Sequence, residues 1–110
     1  MMRFCIQLLI VLPILSANMA YAEKPVVRIK IRDHLFSPYE VKVPANQTFK
    51  LLVVNEDNTP EKFKSYELNR GKVVLGKSKI VILIGPLKPG EYPFFGEFNI
   101  SAAQGNLIAE

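Results

Sequence analysis

The sequence predicts an all-β domain, an antiparallel Greek-key β-sandwich. Apolar and charged residues alternate with a period of two in residues 27–32 and again in residues 40–43, which is the pattern of half-buried strands. Residues 78–84 are dense in β-branched side chains, which favour strands. Turn signals separate these runs at intervals of roughly 8 to 12 residues, a spacing typical of sandwiches and barrels.

The remaining elements follow from the same local patterns. Residues 48–54 are nearly continuous in apolar character, so we expect them to form a central strand. Residues 60–69 are ambiguous between a short helix and an irregular segment, with Phe63, Tyr66 and Leu68 as candidates for the core. In chain order, strands are predicted at residues 27–32, 41–43, 48–54, 73–75, 78–84, 92–98 and 106–109.

The first 22 residues have the pattern of a signal peptide. Arg3 precedes an apolar run of about 12 residues, which is shorter than the roughly 18 to 20 that a membrane-spanning helix needs. Ala20 and Ala22 give the small-residue cleavage pattern. We therefore predict cleavage between Ala22 and Glu23, export to the periplasm, and one domain at residues 23–110. An uncleaved N-terminal anchor is the alternative.

Beyond this leader the chain is poor in soft metal ligands. Its single cysteine and its three methionines all fall within the leader: Cys5, Met1, Met2 and Met19. The exported domain therefore contains no thiolate metal site, no disulfide and no cysteine nucleophile. Its core alone must hold it together, in a compartment where disulfides are available.

The charge of the exported domain is mildly basic. Without Arg3 it has 13 basic and 10 acidic residues, a net charge of +3. The basic residues alternate with apolar ones along predicted strands, as in Arg28, Lys30 and Arg32. A solvated sheet face has the same pattern, so nucleic-acid binding is not expected.

Three segments, in this order, resemble the cupredoxin family. They are FSPYEVKVPANQ at residues 36–47, NEDNTPE at residues 55–61, and LKPGEYPFFGEF at residues 87–98 followed by AQGNL at residues 103–107. The resemblance covers nearly the whole domain and implies a cupredoxin sandwich. In the family, the second and third segments carry the copper ligands: two histidines, a cysteine and a methionine.

The family's ligands are absent from the matching positions. Glu61 stands where the first histidine is expected, Gly96 at the cysteine and Ala103 at the methionine. The second histidine corresponds to residues 99–101, which contain none. Because a blue-copper site needs a thiolate and two imidazoles, the usual electron-transfer centre is excluded.

The departures themselves are similar to one subgroup of the family. Residues 33–38, 60–70 and 85–98 resemble small periplasmic cupredoxin-like proteins, and the related domain of iron-uptake lipoproteins, found beside bacterial iron permeases. This resemblance implies iron handling in the periplasm, with a permease as partner and an accessory role in iron oxidation or handover. Many members have a histidine shortly after the position of Phe98, where this chain has Asn99.

Glu61 and Glu97 are the foremost candidates for metal ligands. They occupy or adjoin positions where the scaffold brings its ligand loops together, and carboxylates are hard donors suited to iron or copper(II). A metal held this way would not be blue copper. The alternative is that both are solvated, or paired with nearby Lys62, Lys64 or Arg70.

His34 and Glu67 complete the predicted metal set. His34 is the only imidazole in the chain, and it is either a ligand, a proton carrier near neutral pH, or a cap on a bulge after the first strand. Glu67 lies three residues before Arg70, a spacing that also gives a weak ion pair on a helical turn. Two functions remain open: a metal-binding component of iron uptake, or a metal-free scaffold that docks on a permease or another periplasmic partner through its loop end and the basic side chains of its strands.

Overall fold

The structure is a computed structural model that describes residues 23–110. The predicted leader lies outside the described residues, so its cleavage stays a prediction. The described chain forms nine strands: β1 (Val26–Arg32), β2 (Leu35–Ser37), β3 (Glu40–Val43), β4 (Phe49–Asn55), β5 (Glu61–Ser65), β6 (Arg70–Val74), β7 (Ser78–Ile84), β8 (Gly90–Gly96) and β9 (Gln104–Ala109).

The strands form two sheets packed face to face, which confirms the predicted sandwich. The four-stranded sheet has the order β2-β1-β4-β7, and the five-stranded sheet has the order β3-β9-β8-β5-β6. Most pairings are antiparallel as predicted, but β1 runs parallel to β4 and β3 runs parallel to β9. These parallel pairs arise because the chain passes to the other sheet between the paired strands, as parallel strands require a crossover connection.

The core lies between the sheets and follows from the alternation seen in the sequence. Ile29 and Ile31 of β1 are fully buried, whereas the basic residues that alternate with them, Arg28, Lys30 and Arg32, are exposed. Three aromatic rings pack at the centre: Phe94 lies 4.9 Å from Phe36 in an edge-to-face contact and 5.1 Å from Phe63 in a stacked one. Such contacts add to the stabilisation that the burial of apolar area provides.

The ambiguous segment is a strand followed by a turn. Strand β5 alternates buried and half-buried residues, and Phe63 and Leu68 are in the core as expected, but Tyr66 is 71% exposed. The prediction for residues 92–98 was one strand, whereas β8 ends at Gly96 and a 3-10 turn follows at Glu97–Asn99. In the described part of the chain, no helix has the length and apolar character needed to cross a membrane.

Candidate functional site

Glu61 is buried at the end of the sandwich where the predicted ligand loops meet. It is the first residue of β5, and the alternation of this strand directs Glu61, Phe63 and Ser65 inward. The side chain is only 1% exposed. A carboxylate in this environment is stable only if hydrogen bonds replace its lost hydration.

Three N–H groups supply those hydrogen bonds. The backbone N–H groups of Phe98 and Lys62 donate to Glu61 Oε1 at 2.8 and 2.9 Å. The side-chain Nδ2 of Asn99 donates to Oε2 at 2.8 Å. All three partners are donors, which matches an ionised carboxylate because such a group only accepts.

Gly96 leaves the space that the Glu61 side chain occupies. A Cβ atom at Gly96 would lie 2.6 Å from Cδ of Glu61 and 2.7 Å from Cβ of Ala103. The backbone angles of Gly96, φ −93° and ψ 111°, are open to any residue. Glycine is therefore required here by packing and not by backbone conformation.

The loop after Gly96 folds back on itself and fixes Asn99. The backbone N–H of Ala103 donates to Asn99 O at 2.8 Å, and the N–H of Gly96 donates to Ala103 O at 2.8 Å. These bonds bring together the residues at the four positions that carry ligands in the family. We call this group the Glu61 cluster: Glu61, Gly96, Asn99 and Ala103.

Glu97 lies beside the Glu61 cluster but is paired with a cation. Its Oε1 is 3.3 Å from Lys62 Nζ, and its side chain is 37% exposed. The same oxygen is shielded from solvent and has no partner in hydrogen-bond geometry, so the contact with Lys62 is an ion pair only. This is the pairing that the sequence offered as the alternative to a ligand role.

The other two predicted metal residues lie elsewhere. His34 occupies the β1–β2 turn with φ 64°, and its Nδ1 is 3.6 Å from Oδ2 of Asp57. Glu67 is exposed in the turn after β5, and no salt bridge to it occurs within residues 23–110. Among these residues, no group of three His, Cys, Asp or Glu side chains is placed to hold a metal ion. The metal assignment of Glu61, Glu97, His34 and Glu67 therefore stays a prediction.

Arg70 does not take the role suggested by its spacing from Glu67. Its Nε and Nη2 donate to Leu83 O at 3.4 and 3.3 Å, which ties the beginning of β6 to the edge strand β7. The helical turn that would bring Glu67 and Arg70 together is absent from the described chain, since a turn and then β6 occupy this segment.

Two polar residues that the sequence did not single out organise the loop before Glu61. Asn55 is 1% exposed, and its Nδ2 donates to Thr59 O at 2.9 Å. Its Oδ1 accepts from the N–H of Asp57 at 3.0 Å. Asn55 ends an apolar strand directly before a polar loop, and this position in the sequence is typical of an asparagine whose side chain bonds to the loop backbone.

Asp57 in turn holds the β1–β2 turn. Its carboxylate accepts from the backbone N–H groups of Asp33 at 2.7 Å and His34 at 2.9 Å. Burial raises the pKa of Asp57, but hydrogen bonds from His34 and Asp33, with the nearby charges of His34 and Lys77, outweigh it. The net result is a pKa below the ordinary value.

The lowered pKa of Asp57 predicts a pH-dependent contribution to stability. Because the folded-state pKa is depressed, this contribution is complete above about pH 5 and is lost as the pH falls through the folded-state pKa. Asp57→Asn should therefore be less stable than wild type at pH 7, with the difference shrinking toward pH 2. Urea unfolding of both proteins across this range measures it, and a difference that does not change with pH would contradict the assignment.

The comparisons with known proteins identify the family. A model of the cupredoxin-like domain matches residues 5–109, and the chain belongs to this family. A protein of Rickettsia prowazekii (strain Madrid E), described as uncharacterised, is 44% identical over 82 residues, covering 74% of this chain and 66% of that protein. The aligned region thus spans just under two thirds of that relative.

Solved structures agree on the fold. Auracyanin A, a "blue" copper protein from Chloroflexus aurantiacus, has a TM-score of 0.67 at 12% identity, covering 80% of this chain and 100% of that one. Amicyanin from Paracoccus versutus has a TM-score of 0.60 at 19% identity, covering 87% and 90%. The chain therefore has the cupredoxin fold.

The Glu61 cluster does not fit the copper centre of a blue cupredoxin. The side chains of Gly96 and Ala103 have no atom that could ligate a metal. The amide nitrogen of Asn99 already donates a hydrogen bond to Glu61. The two carboxylate oxygens of Glu61 already accept three hydrogen bonds. No thiolate or imidazole is present at any of the four positions.

Proposed function

We propose that this protein is a cupredoxin domain whose ligand end is closed by the Glu61 cluster, and that it works as a metal-free interaction module in the periplasm. The observation that carries the proposal is the buried carboxylate of Glu61, held by three N–H groups over Gly96. The cluster joins β5 to the loop after β8, which is what the metal does in a copper-binding member.

The energetics of Glu61 favour a structural role over a ligand role. An incoming cation must reach a side chain that is 1% exposed and must displace N–H donors from its oxygens. These hydrogen bonds are part-buried, and each displaced donor that finds no new partner costs up to about 1–3 kcal/mol. Gly96 and Ala103 offer no further donor to offset that cost.

We assign the protein to iron uptake because its sequence resembles proteins found beside iron permeases. The partner would then be a permease or another component of iron uptake. Docking requires exposed surface and a rigid scaffold, and the two sheets supply both. In this proposal the protein binds a partner and has no catalytic step of its own.

Calorimetric titration tests the proposal. The protein beginning at Glu23 is titrated with copper(II), and with iron(II) under anaerobic conditions, at a protein concentration of about 0.1 mM. We expect no saturable binding tighter than about 1 mM. The Glu61→Ala, Glu97→Ala double variant should behave in the same way.

Metal handling through hard ligands is the competing function, and the same titration decides between them. Saturable binding to the wild type, weakly coloured and weakened at low pH, would overturn the metal-free proposal, and its loss in a double variant that circular dichroism shows to be folded would establish a carboxylate site. The separate variants then show which of the two carboxylates is the ligand.

A further inference from the structure

The outer face of the four-stranded sheet is basic along its whole length. Strand alternation directs five cations outward from three of its strands: Arg28, Lys30, Arg32, Lys50 and Lys79. None of the outward side chains on its four strands is acidic. We call this surface the basic face.

Apolar side chains lie beside these cations in the rows across the sheet. The register places Arg28 beside Leu52 and Leu52 beside Val81, while Lys50 lies between Val26 and Leu83. Val26, Val81 and Leu83 are 61%, 49% and 51% exposed. The long stems of lysine and arginine cover part of this apolar surface and carry their charges outward.

On the opposite sheet most cations have a partner, although Lys72 has no salt bridge within residues 23–110. Its outward side chains include Glu40 and Glu91 as well as lysines. There Lys42 pairs with Glu110 at 3.6 Å, Lys62 pairs with Glu97, and Lys64 lies over the Tyr66 ring. On the basic face, Lys30 has a salt-bridge partner within residues 23–110, and the other four cations have none.

One end of the basic face opens into a depression of about 740 Å3. Its lining includes Arg32, Lys77 and Lys79, with Glu56 as its single acidic residue. Glu56 is already occupied, since its carboxylate pairs with Lys30 at 3.7 Å and its backbone oxygen accepts from Lys77 at 2.7 Å. Arg32 and Lys79 therefore remain free to bind a phosphate group.

We propose that the basic face docks on the surface of an anionic phospholipid bilayer, with a phosphate headgroup in the depression between Arg32 and Lys79. The cations lie on three neighbouring strands, with three of the five on β1, and such an extended array suits a plane of negative charge better than one acidic side chain. The exposed valines and leucines lie where they meet the headgroup region. This proposal goes beyond the proposed function, because the basic face is on the sheet opposite Glu97 and does not include the Glu61 cluster.

Vesicle co-sedimentation tests the proposal, with the protein beginning at Glu23. The probes are vesicles of phosphatidylcholine with about 30% phosphatidylglycerol, and vesicles of phosphatidylcholine alone. We expect binding to the first only, strongly reduced at about 0.5 M salt because screening shortens the range of the charges. The variant R28Q/R32Q/K50Q/K79Q should bind at least about 100-fold more weakly, at roughly fivefold per cation.

A matched variant separates position from total charge. K42Q/K62Q/K64Q/K72Q removes four lysines from the other sheet and should bind like the wild type, with circular dichroism confirming that both variants fold. Equal losses in both variants, or no binding of the wild type to anionic vesicles, would overturn the proposal.

Binding to a polyglutamate peptide without vesicle binding would replace it with an acidic protein partner. Complete displacement by inorganic phosphate at constant ionic strength would replace it with a free-phosphate site. Metal titration is independent of all these outcomes.

Discussion

Glu61→Ala is expected to lower the free energy of unfolding by about 3–5 kcal/mol. The substitution leaves the N–H groups of Lys62 and Phe98 and the amide of Asn99 without their buried acceptor. Each unsatisfied donor costs about 1–3 kcal/mol, and the space left by the side chain adds to the loss. Since small domains are stable by about 5–15 kcal/mol, the loss is a large share of the total. Urea unfolding at pH 7 measures it.

Two further variants separate this explanation from a general effect of removing a carboxylate. Glu61→Gln should lower the free energy of unfolding by only about 1–2 kcal/mol. The glutamine carbonyl can accept from the two backbone N–H groups, and the glutamine NH2 can donate to Oδ1 of Asn99 once the Asn99 amide rotates by half a turn. Glu40→Ala, at an exposed position in β3, should change stability by less than about 0.5 kcal/mol. A loss for Glu61→Gln as large as for Glu61→Ala would show that charge, and not hydrogen bonding, holds the cluster.

Gly96→Ala is expected to cost about 2–3 kcal/mol. The added methyl group would lie 2.6 Å from Cδ of Glu61 and 2.7 Å from Cβ of Ala103. Glu61 cannot move aside without breaking its hydrogen bonds, and Cβ of Ala103 moves only with the backbone, so the strain of overpacking remains. Thermal or urea unfolding measures the loss.

Gly71 supplies the matched control for this variant. A methyl group at Gly71, also in a strand of the five-stranded sheet, would meet Lys64 Cδ at 3.4 Å, an ordinary contact. Gly71→Ala should therefore be neutral within about 0.5 kcal/mol. The double variant Gly96→Ala, Glu61→Ala should lose less than the sum of the single losses, because removing Glu61 relieves part of the strain. Additive losses would show that Gly96 and Glu61 do not share one space.

The sequence predicted most of the fold because its strands have clear local patterns. The alternation in β1 and the β-branched run in β7 placed both strands to within one residue. Strand β5 was missed because lysines stand at its half-buried positions and Glu61 at a buried one, so its apolar pattern is weak. The parallel pairings depend on how the chain crosses between sheets, which local patterns do not report.

The resemblance predicted where the candidate site lies, whereas the role of Glu61 as a metal ligand stays a prediction. The resemblance located Glu61, Gly96 and the region of Asn99 at the ligand positions, and the structure brings them together. The residue type of Glu61 predicted a hard metal ligand, and the structure shows three N–H groups that donate to its oxygens. Two of these donors are the backbone N–H groups of Lys62 and Phe98. Every residue except proline has such a group, so the amino-acid sequence does not indicate where two of them converge.

In our proposal the Glu61 cluster holds β5 and the loop after β8 together, as a metal does in copper-binding members. The most direct test is the unfolding free energy of wild type and Glu61→Ala, each measured in excess chelator and again with about 0.1 mM copper(II). A metal bound only by the folded protein adds about 2.7 kcal/mol at 100 times its Kd. We expect copper(II) to change the unfolding free energy of neither protein by more than about 0.3 kcal/mol, and the loss from Glu61→Ala to be the same in both conditions. Copper(II) that stabilises wild type by more than about 1 kcal/mol, but not Glu61→Ala, would contradict the proposal.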